Sequence, residues 1–388
     1  MIQCPSLMIR RPPLALVILL LSFPQVVETI YSPTLPLIAA AYHATPQEAA
    51  QTLSLWFVAF AFGVVIWGRL CDGVGRRPVL LCGLALYAIG SGWAMVAGDF
   101  PQLLMARLIS AFGAAVGSIV VQTALRDSYR GSDLARVFSW LGGALAVSPA
   151  IGMVLGQAIA SCAGHQGVFG GLGLLATGLL ALSFAFWPET RPSEVRAASF
   201  LSTLRDMLRD GDIWGNAVLI AVFNLAIFGF YQLGPFLFER LETRWFAFGQ
   251  SGLVLAAASL LGAFINSVLL QRGARAGQLV EASVLLLGIG AGGVILLASS
   301  PAFIIGMAIV ALAYAVAIPN ILTGALRNYG DRLGAAGAVL SMLYYVLLGA
   351  GLTAAGFGQR LDILLAACAI FGALAIYAKR QGLVPKAA

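Results

Sequence analysis

The chain has 388 residues, of which 60% are hydrophobic and only 10% are charged. Soluble domains usually contain about 25% charged residues, so the composition excludes a soluble globular protein and indicates a polytopic membrane protein. A formal net charge of +7 is compatible with nucleic-acid binding, but the basic residues lie in short loops between apolar runs, as is typical of membrane proteins. We therefore predict a surrounding lipid bilayer and no nucleic-acid partner.

The apolar runs predict the number of membrane-spanning helices. A helix needs about 20 mainly apolar residues to cross the hydrocarbon layer, and twelve segments meet this condition: about 13–36, 50–68, 78–97, 102–124, 135–159, 167–187, 214–237, 248–270, 280–298, 302–325, 335–356 and 361–378. The sequence thus predicts an all-α membrane protein with two pseudo-symmetric six-helix bundles, residues 1–187 and 213–388, joined by a cytoplasmic linker, 188–212. Within the linker, Phe200–Leu208 has the pattern of a short amphipathic helix on the membrane surface.

The distribution of basic residues predicts the orientation. With both termini inside, nineteen Lys and Arg residues fall in inner segments, three fall in outer loops and one, Arg107, lies within a span. Because basic residues concentrate in cytoplasmic loops, we expect both termini to lie in the cytoplasm. The two histidines, His43 and His165, fall in separate outer loops, so no metal site is predicted.

The first span contains a carboxylate. Leu14–Ile30 is an apolar run with one acid, Glu28, near its end. A charge at the bilayer centre costs at least about 2.5–3.5 kcal/mol, so such a residue faces the bundle interior or a watery cavity and indicates function. We expect the rest of the chain to build a cavity around Glu28 that opens alternately to the two sides.

Arg107 in the fourth span is predicted to lie at the same depth. At 1.5 Å per residue, Glu28 lies roughly 22 Å and Arg107 roughly 21 Å from the inner boundary. Tyr31 lies one turn beyond Glu28 on the same face of the helix. Two interpretations follow. Either Glu28 carries a proton, because cavity hydration in each state would change its ionisation, or Glu28 and Arg107 form a static ion pair that fixes packing.

Two further segments carry recognisable patterns. The loop after the second span, residues 68–78, reads GRLCDGVGRRP; its glycines allow a tight turn, and its acid can pair with nearby arginines. In the fifth span, Ser148, Gly152 and Gly156 recur every four residues and line one face. Small residues let helices approach closely in lipid, and Pro149 bends the helix or frees a carbonyl. The fifth span is either a plain packing helix or a surface on which the two halves move.

The loop at residues 68–78 resembles that of the major facilitator superfamily, which follows G-x-L-[AS]-D-x-x-G-R-[RK] between spans two and three; Cys71 replaces the usual small residue. In that family the loop latches the two halves in the outward-facing state. The resemblance therefore implies conformational gating by residues of this loop and of span five. They are Gly68, Asp72, Gly75, Arg76, Arg77, Pro149, Gly152 and Gly156. The plainer interpretation is a basic inner turn without a gating role.

Other segments extend the resemblance along the chain. Leu104–Gly113, with Arg107, is similar to the family's fourth-span motif, and Ala146–Gly156 is similar to its fifth-span antiporter motif. WPET at 187–190, GPFLFER at 234–240 and IPN at 318–320 resemble the Bcr/CflA drug-resistance branch. This resemblance implies a monomeric proton-coupled exporter of the bacterial inner membrane. That branch has its first-span acid at the position of Thr29, one residue after Glu28.

Substrate contacts are expected from polar and aromatic residues that face the cavity. They are Tyr31, Asn224, Tyr231, Gln232, Asn320, Tyr344 and Tyr345. Asn266 and Ser341 are further polar candidates. Each of these side chains alone is more often an interhelical hydrogen bond than a substrate contact.

The sequence contains no phosphate-binding GxxxxGK[ST] loop. A proton gradient, with no cofactor, is therefore the expected driving force. Three alternatives remain: an exporter of an endogenous metabolite such as a siderophore or sugar, a non-transporting membrane sensor, and a membrane enzyme. The absence of a convergent nucleophile and base argues against the enzyme.

Overall fold

The computed structural model describes residues 11–129, 131–191, 200–241 and 246–381. Within them the chain is helical and contains no strand. The helices of the N-terminal half are α1 (Leu14–Tyr31), α2 (Leu35–Ala41), α3 (Pro46–Val74), α4 (Arg76–Val96), α5 (Phe100–Ser128) and α6 (Gly131–Phe186). A 3-10 turn, Ser32–Thr34, joins α1 to α2, so the two together form the first span.

The second half begins with a short helix, α7 (Phe200–Arg209), that is too short to cross a membrane. It is followed by α8 (Gly211–Arg240), α9 (Phe248–Gln271), α10 (Ala276–Leu296), α11 (Phe303–Ala325), α12 (Leu333–Gly358) and α13 (Leu361–Arg380). Helix α7 coincides with the amphipathic segment predicted in the linker.

The described residues form eleven helices that are long and apolar enough to cross a membrane. Helix α6 contains two of the predicted spans, because Gly164 interrupts it with φ 62° and ψ −166°. Only glycine adopts that backbone conformation readily, so the chain turns there between a first arm, 131–163, and a second arm, 165–186. The predicted all-α fold with twelve crossing segments is therefore confirmed.

Each half packs its own helices together, and two seams join the halves. In the N-terminal half α1 packs on α6 and α4 on α5; in the C-terminal half α10 packs on α11 and α8 on α13. The seams run between α3 and α12 and between the first arm of α6 and α9. Glycines bring backbones close, as at Gly113, where an added Cβ would lie 2.6 Å from the Gly83 carbonyl oxygen. Such contacts replace the hydrophobic effect, which does not drive helix association in lipid.

The two ends of the molecule differ. We call the end that carries α7 and residue 76 the linker side, and the end that carries residues 45 and 359 the loop side. Among the described residues, side-chain hydrogen bonds that join spans of the two halves lie toward the loop side, at Ser32, Gln51, Gln232 and Gln359. The halves are therefore clamped together on the loop side.

Candidate functional site

Glu28 lies one turn before the end of α1, and one turn after the proline, Pro24, that α1 contains. Its side chain is only 5% exposed. Among the described residues, its carboxyl group has neither a hydrogen-bond nor an ion-pair partner. An ionised carboxylate in such a place is costly, so the charge on Glu28 depends strongly on how much water reaches it.

The neighbouring residue, Thr29, faces in another direction. Its hydroxyl donates to the Gln25 carbonyl at 2.8 Å, and its side chain lies against Gly152 of α6, where a Cβ would overlap the Thr29 Oγ1. A carboxylate at position 29 would therefore meet the α6 backbone. The acid at position 28, about 100° round the helix, avoids that contact, which gives a physical reason for the departure from the branch pattern.

Arg107 is held by an aromatic ring. It is 1% exposed, and its guanidinium carbon lies 3.9 Å from the centroid of the Tyr31 ring, a cation–π geometry. The Tyr31 hydroxyl is 2.7 Å from Thr52 Oγ1, and its ring packs against Phe169 at 5.7 Å. Tyr31 is fully buried, so in this conformation it contacts Arg107 and has no free surface for a substrate.

Glu28 and Arg107 make no direct ion pair. The Nε and Nη2 of Arg107 have no hydrogen-bond partner, and its guanidinium lies on the ring of Tyr31, one turn after Glu28 in α1. The three residues thus lie in one region of the N-terminal half, and Tyr31 holds the arginine. Two buried ionisable groups, an acid without a partner among the described residues and an arginine with unpaired N–H groups, therefore form a site whose charges depend on bound protons, water or ligand.

An aromatic cluster extends from this region across the α3–α12 seam. Phe57 of α3 lies 4.6 Å from Phe228 of α8, and Phe60 lies 5.0 Å from Tyr345 of α12, between ring centroids. Tyr344 adjoins Tyr345 at 4.3 Å, and Trp56, Phe60 and Tyr231 continue the cluster on its two sides. The cluster thus combines aromatic rings from both halves with the phenol groups of Tyr231, Tyr344 and Tyr345.

Gln232, a predicted substrate contact, instead joins the halves. The two N–H groups of its Nε2 are shared among three acceptors, the Ala50 carbonyl at 2.9 Å, Ser54 Oγ at 3.0 Å and the Leu352 carbonyl at 3.1 Å. A Cβ on Gly356 would lie 2.9 Å from that nitrogen. The amide nitrogen is therefore fully engaged in the contact between α8, α3 and α12.

The predicted asparagines bond within the C-terminal half. Asn224 donates to the Ile220 carbonyl at 2.8 Å and accepts from the Tyr314 hydroxyl at 3.4 Å. Asn320 donates to the Asn266 side-chain oxygen at 2.6 Å and to its own helix at Val316. Both pairs are interhelical hydrogen bonds, the alternative considered for such residues.

The loop between α3 and α4 forms a polar cluster on the linker side. Buried Arg76 donates from Nε to Asp127 of α5 at 2.8 Å and from Nη1 to the Cys71 carbonyl at 2.7 Å, and its Nη1 lies 3.3 Å from Asp72. Gly75 has a φ of 119°, which favours glycine. Gly68 packs against Ile119. Arg76 thus ties the loop to α5 in its own half.

Glu189 completes this cluster, although sequence reasoning assigned it no role beyond its place in the WPET pattern. Its carboxylate accepts backbone N–H groups from Arg76 and Arg77, at the start of α4, and from Thr190 and Arg191. Burial raises the pKa of this carboxyl, but the four N–H donors outweigh burial, and the pKa of Glu189 lies below its ordinary value. Arg77 also donates to the Phe184 carbonyl at 2.6 Å.

The small-residue face of α6 packs on α1. A Cβ on Gly152 would lie 2.8 Å from the Val26 carbonyl oxygen, and a Cβ on Gly156 would lie 2.8 Å from the Ile30 carbonyl carbon. Pro149 lies half-buried within the same arm. The stripe therefore holds α6 against the helix that carries Glu28, inside one half.

Helix α6 contacts the other half through the face that carries Ala150 and Met153, next to its small-residue stripe. In this contact the small residues belong to α9: a Cβ on Gly249 would lie 2.9 Å from the Met153 carbonyl oxygen, and one on Gly252 would lie 3.2 Å from Ala150 Cα. Sequence periodicity indicates which residues form a stripe but not which neighbour it meets. The first arm of α6 is thus packed tightly against both α1 and α9.

The chain is similar to known transport proteins. The model of the Major Facilitator Superfamily matches residues 16–354. An "uncharacterized transporter" of Rickettsia bellii is 31% identical over 362 residues, covering 88% of this chain and 89% of the relative. A "chloramphenicol resistance protein" of Pseudomonas aeruginosa is 29% identical, covering 82% and 78%. The "multidrug resistance protein MdtL" of Escherichia fergusonii is 25% identical, covering 81% and 80%.

Solved structures show the same fold. The POT family transporter PepTSo superposes with a TM-score of 0.74 at 11% identity, covering 95% of this chain and 98% of that one. A bacterial homologue of the human lysosomal transporter Spinster superposes with a TM-score of 0.70 at 14% identity, covering 95% and 97%.

In the part of the chain that the structure describes, twelve crossing segments lie in two packed halves, and Glu28 and Arg107 are buried within the first half. This fold and the family match define a membrane transporter and not an enzyme. The chain belongs to the Major Facilitator Superfamily. The family predicted from the sequence motifs is confirmed.

Proposed function

We propose that this transporter exports drugs or other small amphipathic molecules in exchange for protons. The observation that carries the proposal is the Glu28 carboxyl, which is 5% exposed and has no partner among the described residues. A static structural acid would be expected to keep hydrogen-bond or ion-pair partners. An acid that gains and loses a proton during the transport cycle has to remain open to exchange.

In the proposed cycle, the two bundles, residues 1–187 and 213–388, rock about the α3–α12 and α6–α9 seams. Deprotonation of Glu28 on the inner side permits substrate capture, and protonation from the outer side favours release. Arg107, which Tyr31 holds about one helical turn from Glu28, would stabilise the ionised form of the acid. Glu28 and Arg107 thus form the proton-coupling pair.

The substrate would bind between Glu28 and the aromatic cluster. Tyr231, Tyr344 and Tyr345 offer rings and phenol groups to a flat or amphipathic molecule, as ligand sites in such folds do. Tyr31, Asn224, Gln232 and Asn320, which bond to protein groups here, would join the site only after these bonds are exchanged for contacts with the substrate. The names of two relatives, for chloramphenicol and multidrug resistance, support drugs as the substrate class.

The linker-side cluster is proposed to gate the change of state. The loop that contains Gly68, Asp72, Gly75, Arg76 and Arg77 is rigidly tied to α5 and to Glu189. It would therefore move with its half as one body and release the contact between Arg69, at the end of α3, and Phe200 of α7. Pro149, Gly152 and Gly156 would transmit that motion to α1 and Glu28, because α6 packs directly on α1.

The proposed location is the bacterial inner membrane, with the linker side in the cytoplasm. The bacterial relatives support it, as does the excess of basic residues in the predicted inner segments. The terminal residues 1–10 and 382–388, which the topology prediction puts in the cytoplasm, lie outside the described residues. We propose a monomer, since one chain contains both halves of the site.

A transport assay with Glu28→Gln tests the proton role. Purified protein in proteoliposomes should drive chloramphenicol movement under a pH gradient, and Glu28→Gln should abolish that movement while retaining chloramphenicol counterflow without a gradient. Glu239→Gln, an exposed acid at the end of α8, is the matched control and should behave as wild type. Undiminished gradient-driven movement in Glu28→Gln would contradict the proposal.

The same assay separates the alternatives. A wild-type protein that shows no counterflow of any tested compound would be a membrane sensor. Inhibition of chloramphenicol movement by a siderophore or a sugar, with movement of that competitor itself, would indicate a metabolite exporter that uses the same mechanism.

A further inference from the structure

Helix α7 buries one face against the C-terminal half. Thr203 and Met207 are fully buried, and Asp210, which follows the helix, is 1% exposed. The Tyr329 hydroxyl donates to Asp210 at 2.9 Å, and Arg332 forms an ion pair with Asp206 at 2.8 Å. The helix is thus fixed in place by an ion pair of its own acid and by a hydrogen bond at the residue that follows it.

The apolar surface of α7 is wider than the face that it buries. Leu201 is 68% exposed and Leu208 is 44% exposed. Seven residues apart, they lie on the same side of the helix, and Arg205 lies between them, one turn from each. Arg209 borders the same side and is also exposed. Two leucines and two arginines therefore form one exposed surface, which we call the α7 outer face.

This surface lies at the level of the membrane boundary. A single residue separates the end of α7 from the first residue of α8, Gly211, and α8 is a candidate membrane span. In the first turn of α8, Trp214 is 36% exposed and its indole N–H donates to the Leu208 carbonyl at 3.0 Å. Tryptophan is enriched where headgroups meet the hydrocarbon layer. The α7 outer face is therefore next to headgroups.

We propose that the α7 outer face docks on anionic phospholipid headgroups of the membrane that the protein spans. Leu201 and Leu208 would enter the boundary of the acyl chains, and Arg205 and Arg209 would bind lipid phosphates. Charge complementarity favours this partner: the exposed surface carries two guanidinium groups, which bind phosphate in a fork geometry, and the one neighbouring acid of the helix, Asp206, is paired. Amphipathic helices of this kind lie in the interface and prefer acidic lipid.

Docking would fix the linker as well as the helix. The ring of Phe200, at the start of α7, lies 5.3 Å from the guanidinium carbon of Arg69 at the end of α3. The helix therefore contacts both halves on the linker side while its outer face contacts lipid. This inference does not depend on the direction of transport or on proton coupling.

Hydrogen–deuterium exchange on the full-length protein tests the proposal. The protein is placed in nanodiscs of phosphatidylcholine alone and in nanodiscs of an equimolar mixture with phosphatidylglycerol. The amides of residues 201–209 should exchange more slowly in the mixture, by about fivefold for each arginine engaged. Arg205→Gln with Arg209→Gln should remove this difference, and high salt should reduce it.

Two further variants complete the test. Arg126→Gln removes an exposed arginine from the end of α5 on the same side and should leave the lipid dependence of α7 unchanged. Leu201→Ser with Leu208→Ser should speed exchange of α7 in both lipids. Equal exchange of wild-type α7 in the two lipids, or an unchanged difference in the double arginine variant, would overturn the proposal. Protection that appears only with an added soluble protein would also overturn it and would indicate a protein partner.

Discussion

At the scale of single residues, the position of the acid in the first span, at residue 28 and not at residue 29, determines what the acid contacts. Thr29 faces α6, where Gly152 leaves no room for a larger side chain, whereas Glu28 lies one residue earlier and is turned away from that contact. The same helix turn carries Tyr31, which holds Arg107 by its ring. The first span therefore carries both the acid, Glu28, and the tyrosine that holds the nearby arginine, Arg107.

Tyr31 is expected to set the pH response of transport by keeping Arg107 away from Glu28. Tyr31→Leu removes the ring, and Arg107, whose Nε and Nη2 have no partner, should then turn toward the acid. A desolvated cation–π contact contributes about 2 kcal/mol, and its loss frees Arg107 to stabilise the ionised form of Glu28. The pH at which proton-driven transport is half-maximal should therefore move by about one unit toward acid. The measurement is proton-driven transport against pH.

Tyr31→Phe keeps the ring and loses only the Thr52 hydrogen bond, so its pH profile should match wild type. Phe169→Leu removes a ring that packs against Tyr31 and is the control for disturbed packing. A pH profile that moves equally in all three variants would show that Tyr31 acts only through packing.

Glu189 is expected to give the fold a pH-dependent stability. Its pKa is lower in the folded protein than in the unfolded chain, because four backbone N–H groups outweigh burial. The carboxylate therefore stabilises the fold above the unfolded pKa of about 4.3, and this stabilisation is lost as pH falls through the folded pKa. Glu189→Gln should lower the free energy of unfolding by about 1 kcal/mol at neutral pH, after allowance for solvent exposure.

The measurement is thermal unfolding in detergent at several pH values. The difference between wild type and Glu189→Gln should shrink below about pH 4. For Glu239→Gln, at an exposed acid at the end of α8, the difference from wild type should not depend on pH in this way. A constant difference at all pH values would indicate that the Glu189 charge is not involved.

At the scale of whole elements, helix α6 connects α1, α9 of the other half and the loop between α3 and α4. Its first arm packs on α1 through Gly152 and Gly156 and on α9 of the other half through Ala150 and Met153. Its second arm begins after the break at Gly164 and leads to Glu189 beside the α3–α4 loop. A movement of α6 therefore reaches the acid in α1, the second half and the linker-side cluster.

The close packing of α6 on α1 predicts a large effect of a single methyl group. Gly156→Ala would put a Cβ 2.8 Å from the Ile30 carbonyl carbon, so the helices must separate or the backbone must shift, at a cost of about 1–3 kcal/mol. We expect a lower unfolding temperature and reduced transport. Gly142→Ala, in the same arm with open space around its Cβ, should change neither; equal effects of the two variants would contradict the proposed contact.

At the scale of the molecule, three glutamines clamp the halves on the loop side. Gln232 reaches α3 and α12, Gln51 of α3 donates to the Thr353 carbonyl at 3.2 Å, and Gln359 donates to the Pro46 carbonyl at 3.3 Å. These bonds connect helices that are distant in sequence. These hydrogen bonds form only while the loop side is closed. Their loss should therefore favour the state in which the loop side is open.

Removal of the central glutamine should shift the balance between states. Gln232→Ala removes both N–H donors of the side-chain amide, which have three acceptors within reach. A hydrogen bond contributes about 1 kcal/mol, so the closed loop side should lose population about fivefold or more. Spin-label distances between the loop-side ends of α3 and α12 measure this. Asn224→Ala, on the same helix but bonded within its own half, should leave the distances unchanged.

The sequence by itself determined the class of the protein. Composition and apolar run length fixed a twelve-span membrane protein, because the bilayer accepts only long helices with their backbone bonds satisfied. The motifs around Asp72 and Arg107 identified the superfamily. Periodicity and depth also placed Glu28, Tyr31 and Arg107 in one region, because residue spacing along a helix is a reliable measure of distance.

Only the tertiary structure decided which partners these residues have. Sequence spacing put Tyr31 on the face of Glu28, but the ring lies under Arg107 and leaves the acid without a partner. Gln232 and Asn320, which are polar and within spans, proved to bond to other helices, and Glu189 proved to cap α4. Such contacts join residues far apart in the chain, and helical periodicity predicts the face on which a residue lies but not the helix that it meets.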